Sequence, residues 1–243
     1  MILLFVLRAW RGWRALVLPL LAESLAGCAP SGGSYYPLDA GRWWNYAVHE
    51  TILDEPRQSR YLLQNAGIAP GLDGSVYLQV SQAKSADFLR RRGAGVERIA
   101  SLRPGMRGPQ PDEKPRVVLP EVIAVGAHWE VRSTLALAES RTFEPRDRII
   151  PRRLAVTLSK TIAADGVEVA VAAGRFAHCL LVEGRGEASV PADRGNGSAR
   201  IEVEVQEWYA PGVGLVKLER RETTDSTFFK PGQQSWELLD YGP

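Results

Sequence analysis

Chemistry in this chain would have to start from three histidines, two cysteines and one serine–lysine spacing. His49, His128 and His178 stand far apart, and none lies in a His-Glu-x-x-His or Cys-x-x-Cys arrangement. A zinc site therefore has no local signature, and no metal is expected. His178 and Cys179 are neighbours in the apolar run Phe176 to Val182. In a strand, neighbours point to opposite faces, so the pair does not make a nucleophile with its base. Cys179 reads as a small buried hydrophobe. Ser81-Gln82-Ala83-Lys84 matches the Ser-x-x-Lys of penicillin-binding enzymes, but it stands at the end of an expected strand, and the Ser-Asp-Asn and Lys-Thr-Gly partner elements are missing. Gly-x-Ser-x-Gly, phosphate-loop and dinucleotide patterns are absent as well. The expectation is a protein with no catalytic residue and no cofactor. A hydrolase assembled from residues distant in sequence is the least favoured reading.

Binding residues are sought among the aromatics instead. Trp44 and Trp129 fall in step with apolar neighbours at even spacing, which is core packing. Trp43 points opposite to Trp44, and Trp208 falls on the face of Glu202, Glu204 and Gln206. Trp43, Trp208 and Tyr209 are therefore the candidate binding residues, the last two in a hairpin around Pro211-Gly212.

The elements that must carry them have period two. Trp44, Tyr46 and Val48 share a face, and Ile201, Val203 and Val205 alternate with Glu202, Glu204 and Gln206. Further strands are expected at Val76 to Val80, Trp129 to Leu137, Leu154 to Ile162, Val167 to Val171, Cys179 to Val182, Leu215 to Glu219 and Ser235 to Leu239. Asp165-Gly166 and Asn196-Gly197 fit two-residue hairpin turns, and Pro211-Gly212 fits a type II turn. Long amphipathic helices are absent; Ala86 to Leu102 has room for one short helical piece. Arg103 to Arg116, with four prolines and two glycines, reads as a long loop. The expected fold is mainly β, with little helix: a single curved antiparallel sheet or open half-barrel, with Trp44, Tyr46, Val48, Ile201, Val203, Val205, Val216 and Leu218 inside.

The N-terminus gives an address. Arg8, Arg11 and Arg14 precede an apolar stretch from Ala15 to Ala22, shorter than the ~20 residues that span a bilayer. This is the order of a cleaved signal peptide. Leu25-Ala26-Gly27-Cys28 resembles the bacterial lipobox, which implies cleavage between Gly27 and Cys28 and a lipid on Cys28. Ala29, rather than Asp, after the cysteine resembles lipoproteins sorted to the outer membrane, facing the periplasm. The domains read as a signal peptide over 1–27, a flexible tether over 28–34 and one β-rich domain over 35–243. Loss of the leader takes away three arginines and one glutamate and turns the formal charge of +2 into zero. No general electrostatic drive toward nucleic acid remains.

Three stretches resemble a family of bacterial exported proteins and lipoproteins with no assigned activity. They are Tyr36-Pro37-Leu38 with Gly41 and Trp44-x-Tyr46, Ala173-Gly174-Arg175-Phe176 with Cys179 to Val182, and Glu207 to Lys217. The resemblance implies a half-barrel like that of the lipoprotein-localisation factors, and no reaction. Two functions follow as expectations. One is an envelope lipoprotein that binds a lipid, an acyl chain or a protein segment in a concave sheet. The other is a docking or scaffold subunit of an envelope assembly. Cavity size divides them, since a lipid site needs an apolar pocket of ~300 Å³ or more.

Overall fold

The computed structural model describes residues 33–70, 75–140, 154–191 and 197–243, without the side chains of 139 and 140. The leader, Cys28, the tether as far as Gly32, Asn196 and the charged stretch Arg146 to Arg153, which from sequence reads as a solvated strand edge or loop, lie outside the described residues.

The strands are β1 (Trp43–Ile52), β2 (Glu55–Ile68), β3 (Val76–Ser81), β4 (Ala86–Arg92), β5 (Gly95–Leu102), β6 (Gln110–Leu119) and β7 (His128–Thr134), then β8 (Glu139–Ser140), β9 (Ala155–Val171), β10 (Gly174–Pro191), β11 (Ser198–Ala210), β12 (Gly214–Thr224), β13 (Phe229–Lys230) and β14 (Gly232–Gly242). Among the described residues there is no helix. Twelve strands form one antiparallel sheet in the order β6-β5-β4-β3-β2-β1-β14-β12-β11-β10-β9-β7, and β8 pairs with β13 in a second, two-stranded sheet. The first and last long strands pair with each other, Tyr46 opposite Leu238. The sheet's two edges are thereby β6 and β7, which follow one another in the chain. They approach without a ladder, and the barrel stays open along that seam.

Curvature comes from irregularity. The register shifts within the β1–β14, β2–β3, β4–β5, β5–β6, β9–β10 and β11–β12 pairs. Each extra residue bends its strand and sharpens the twist, which rolls a flat ladder into a barrel. The expected inward residues Trp44, Tyr46, Val48, Ile201, Val203, Val205 and Val216 are all buried. Leu218 is only half-buried; it sits opposite Trp236 in the β12–β14 ladder.

Four expectations need correction. Ala86 to Leu102 holds no helix: it is the β4–β5 hairpin, turning at Gly93 and stitched by Arg90 donating to Glu97 at 2.5 and 2.8 Å. The second half of Arg103 to Arg116 is not loop, because β6 starts at Gln110 and accommodates Pro111 and Pro115 as an edge strand with a bulge. Asp165-Gly166 is no hairpin turn. Gly166 takes φ 68° to make a bulge inside the 17-residue β9, and the chain turns at 172–173, just before Gly174. Asn196-Gly197 is not a two-residue turn either, since Pro191 pairs with Ser198 and the connection is 192–197. The Pro211-Gly212 turn does form, with φ 73° at Gly212 and Val213 N–H donating to Ala210 O at 3.2 Å.

Both ends of the barrel are filled from within. At one end the segment from Ser34 to Leu38 enters; Leu38 is buried with Leu89 and Val96, and Tyr36 packs on both neighbouring clusters. Its backbone is held by Asn65, whose amide donates to Pro37 O at 3.1 Å and Asp39 O at 3.2 Å. At the other end Leu135, Ala138, Phe228 and Phe229, around the β8–β13 pair, pack on Val156, Val190 and Ile201. Buried Glu222 fixes this plug by accepting the backbone N–H groups of Ala136, Leu137 and Ala138 at 2.8–2.9 Å while Arg220 donates to it at 2.7 and 2.9 Å.

Candidate functional site

Inside the barrel, apolar strands bring one buried charged pair together. Lys160 on β9 lies two rows from Glu207 on β11, with β10 between. On β10, Gly184 is opposite Lys160 and Val182 is opposite Glu207, and the missing side chain at Gly184 leaves a diagonal path open; a Cβ there would stand 3.1 Å from Lys160 Cγ. Lys160 Nζ reaches both oxygens of Glu207, at 2.6 and 2.7 Å, and the Tyr209 hydroxyl donates to the same carboxylate at 2.9 Å. Burial and the Glu207 charge hold the Tyr209 phenol well above its ordinary pKa. Tyr209 faces Tyr36 across the interior, ring centres 6.4 Å apart. Tyr36 in turn donates to Gln79 at 2.8 Å, and Gln79 donates to Asn65 at 3.0 Å. Every polar group of this network has a partner, so it behaves as internal fastening.

Among the described residues, a cavity of about 120 Å³ is bordered by Tyr36, Trp44, Tyr46, Leu63, Tyr209 and Trp236. The Trp236 indole N–H is buried and has no acceptor among the described residues. A space of this size holds a few waters and is well short of the ~300 Å³ a lipid chain needs.

The seam is larger. Between the Pro111–Arg116 stretch of β6 and the Glu130–Thr134 stretch of β7 lies an open cleft of about 810 Å³, floored in part by Ala155 and Thr157. Glu113 and Arg132 bridge it as an ion pair. Arg98 is engaged by Asp112 at 2.8 and 2.9 Å and by Asp87 at 3.6 Å. Arg116, directly opposite Arg98 on the neighbouring strand, forms no ion pair among the described residues. Burial, and then the Arg98 charge, push its guanidinium below the ordinary arginine value. The nearby Glu207, Asp87 and Asp112 charges act in the opposite direction, and the guanidinium, with no ion pair of its own among the described residues, can take an incoming carboxylate. A third, polar groove of about 540 Å³ crosses the outer face of five strands and includes His49, Glu183, Arg185, Glu204 and Gln206.

The candidates named from sequence are not gathered at one place. Tyr209 is interior, 3% exposed. Trp208 is half-buried with Lys217 Nζ 5.0 Å from its ring centre, and Trp43 lies against Gly242. His49 and His128 are half a sheet apart, His49 at β1 and His128 at the start of β7. His178, in a left-handed backbone conformation at φ 58°, is exposed, whereas the adjacent Cys179 is fully buried, and burial pushes its thiol up to about 11. Ser81 shares a hydrogen bond with the Ser85 hydroxyl at 2.7 Å, and Lys84 sits in the turn at φ 56°. Among the described residues no group of three or more metal-ligating side chains converges. Sequence reasoning missed Arg116, Lys160 and Glu222. The signal available was a charge at an inward position of an alternating strand, as Lys160 is between Leu158 and Ile162.

No protein-family model matches this chain, and no curated protein matches it. Among solved structures it is similar to a protein of Parabacteroides distasonis ATCC 8503 provisionally named a lipoprotein, at TM-score 0.41 and 13% identity, over 86% of this chain and 99% of that one. It is also similar to a protein of Bacteroides fragilis NCTC 9343, provisionally named an exported protein with a YmcC-like fold, at TM-score 0.40 and 13% identity, over 87% and 100% of the two chains. So distant a likeness assigns no site and no activity.

Proposed function

We propose that this chain is a non-catalytic lipoprotein, anchored through Cys28 in the outer membrane and facing the periplasm, that docks an extended segment of another envelope protein at the β6–β7 seam. The observation that carries this reading is the contrast of spaces: about 120 Å³ inside and about 810 Å³ at the seam. Of the two functions expected from sequence, it supports the docking subunit over a lipid chain held inside the barrel.

The seam has what strand addition uses. Among the described residues β7 is paired on one side only, to β9, and it contains no proline. Its free backbone edge can take a partner strand through main-chain hydrogen bonds, while alternate side chains set specificity. β6 is the blunted edge, since Pro111 and Pro115 lack donors. Arg116 supplies the specificity, and the preferred segment has an acidic side chain opposite it.

The test is site-specific photo-crosslinking in cells, with the probe at Arg132 on β7 or at Glu204 on the outer face. A discrete protein adduct is expected from position 132 and is weakened by Arg116→Gln; none is expected from 204. Adducts only from 204, or none that respond to Arg116, contradict the proposal.

A further inference from the structure

Four of the large apolar side chains exposed on this protein share one end of the barrel. Ile68 (58% exposed) ends β2, Val122 (68%) and Val125 (55%) lie in the 120–127 loop between β6 and β7, and Tyr241 (38%) is at the end of β14. Strands alternate in direction, so the end of β2, the end of β6, the start of β7 and the end of β14 fall together, with the Pro211-Gly212 turn between β11 and β12. The two valines are not frayed ends. Ala94 N–H donates to Glu121 O at 3.0 Å, Gly126 N–H to Ile162 O at 2.9 Å, and Ile162 N–H to Ala127 O at 2.9 Å. The loop is therefore pinned on both sides of the residues it exposes, and Ile123 between them turns into the core. Exposed aliphatic side chains on a fixed loop suit an apolar or interfacial surface better than water.

The chain itself says which surface. Ser34 O accepts from Gly212 N–H at 3.0 Å, and Ser34 Oγ accepts from Arg91 at 3.2 Å, so the tether joins the fold at this same end. From Cys28 to Ser34 is six residues, which reach at most ~20 Å when extended. The opposite end of the barrel, with exposed Met106 in the 103–109 loop, is a strand length away, ~30 Å for the ten residues of β1. An anchored Cys28 thus keeps this end, and not the other, against the lipid.

We propose that the end formed by Ile68, Val122, Val125 and Tyr241 is a membrane-contacting rim whose occupant is the bilayer surface that holds the Cys28 anchor. The inference rests on acylation of Cys28. It goes further in giving the barrel an orientation, with the 120–127 loop in the headgroup region and Met106 pointing away.

The test uses the full, lipidated chain with a single reporter cysteine, Val125→Cys or Met106→Cys. Cys179 is buried and Cys28 is blocked by its lipid. A polarity-sensitive fluorophore is attached, the protein is reconstituted in vesicles of phosphatidylethanolamine and phosphatidylglycerol, and acylation is read from the mass of the same sample. The expected result is a blue shift at position 125 with quenching by lipid-borne nitroxide, and emission as in water at 106. An acylated chain whose residue 125 emits as in water overturns the rim alone. A chain with no acyl mass at residue 28 overturns the anchor and the rim with it. Val122→Cys repeats the reading at a second site, and loss of signal at both overturns the rim even where one variant unfolds.

Discussion

Lys160 and Glu207 show how one glycine sets the character of the interior. Both charges lie among Leu158, Ile162, Val182 and Val205, where a single unpaired ion is costly. Lys160→Ala leaves Glu207 with the Tyr209 hydroxyl alone and is expected to cost about 3–5 kcal/mol in urea unfolding. The pair Lys160→Met with Glu207→Gln removes both charges and keeps an acceptor for Tyr209, and should recover most of that loss; a double variant as unstable as the single one would show that shape, not charge, is at stake. Cys179 gives a pH prediction. Its thiol is raised to about 11 from 9.0 because burial disfavours the thiolate. The stabilisation that follows is fully present below about 9 and is lost as pH rises through about 11. At pH 8 the folded chain should alkylate at Cys179 roughly 100-fold more slowly than the urea-unfolded chain, as two pKa units of thiolate population require. Equal rates would put Cys179 at the surface.

At the scale of elements, Glu222 ties β12 to the 136–138 segment and so holds the β8–β13 plug in place. Glu222→Ala strands Arg220 and three backbone donors; a loss of about 3–5 kcal/mol is expected, with faster amide exchange at 135–138. Unchanged exchange there would mean that the plug is held by Phe229 and Leu135 alone. These same elements show what sequence makes legible. Alternation in Trp44 to Val48 and Ile201 to Val205 is a local pattern, and it marks strands and their buried face correctly. The Pro211-Gly212 turn was legible because proline and glycine each supply one of the φ angles a type II turn needs. Asp165-Gly166 misled because positive φ serves a bulge as well as a turn, and only the partner strand decides which. Arg103 to Arg116 misled because its prolines are tolerated on an edge, and edge position is a property of the whole sheet. The seam, Arg116 and the reach of Lys160 over Gly184 were invisible for the same reason, since each depends on which strands lie side by side: Glu113 and Arg132 are 19 positions apart and Lys160 and Glu207 are 47.

For the molecule as a whole, pairing β1 with β14 moves the open seam to the middle of the chain and leaves a barrel plugged at both ends. On the proposed reading, function lies outside the barrel, at the seam edge and at the end where the tether joins. Native mass spectrometry of the protein extracted gently from membranes tests this most directly. It is run on the unmodified chain and on a Glu113→Cys, Arg132→Cys variant bridged across the seam by a short bifunctional maleimide. The predicted spectrum shows the chain with its anchor acyl groups, no further lipid, and a bound protein that disappears when the seam is bridged. A stoichiometric lipid beyond the anchor, retained with the seam bridged, would contradict the account.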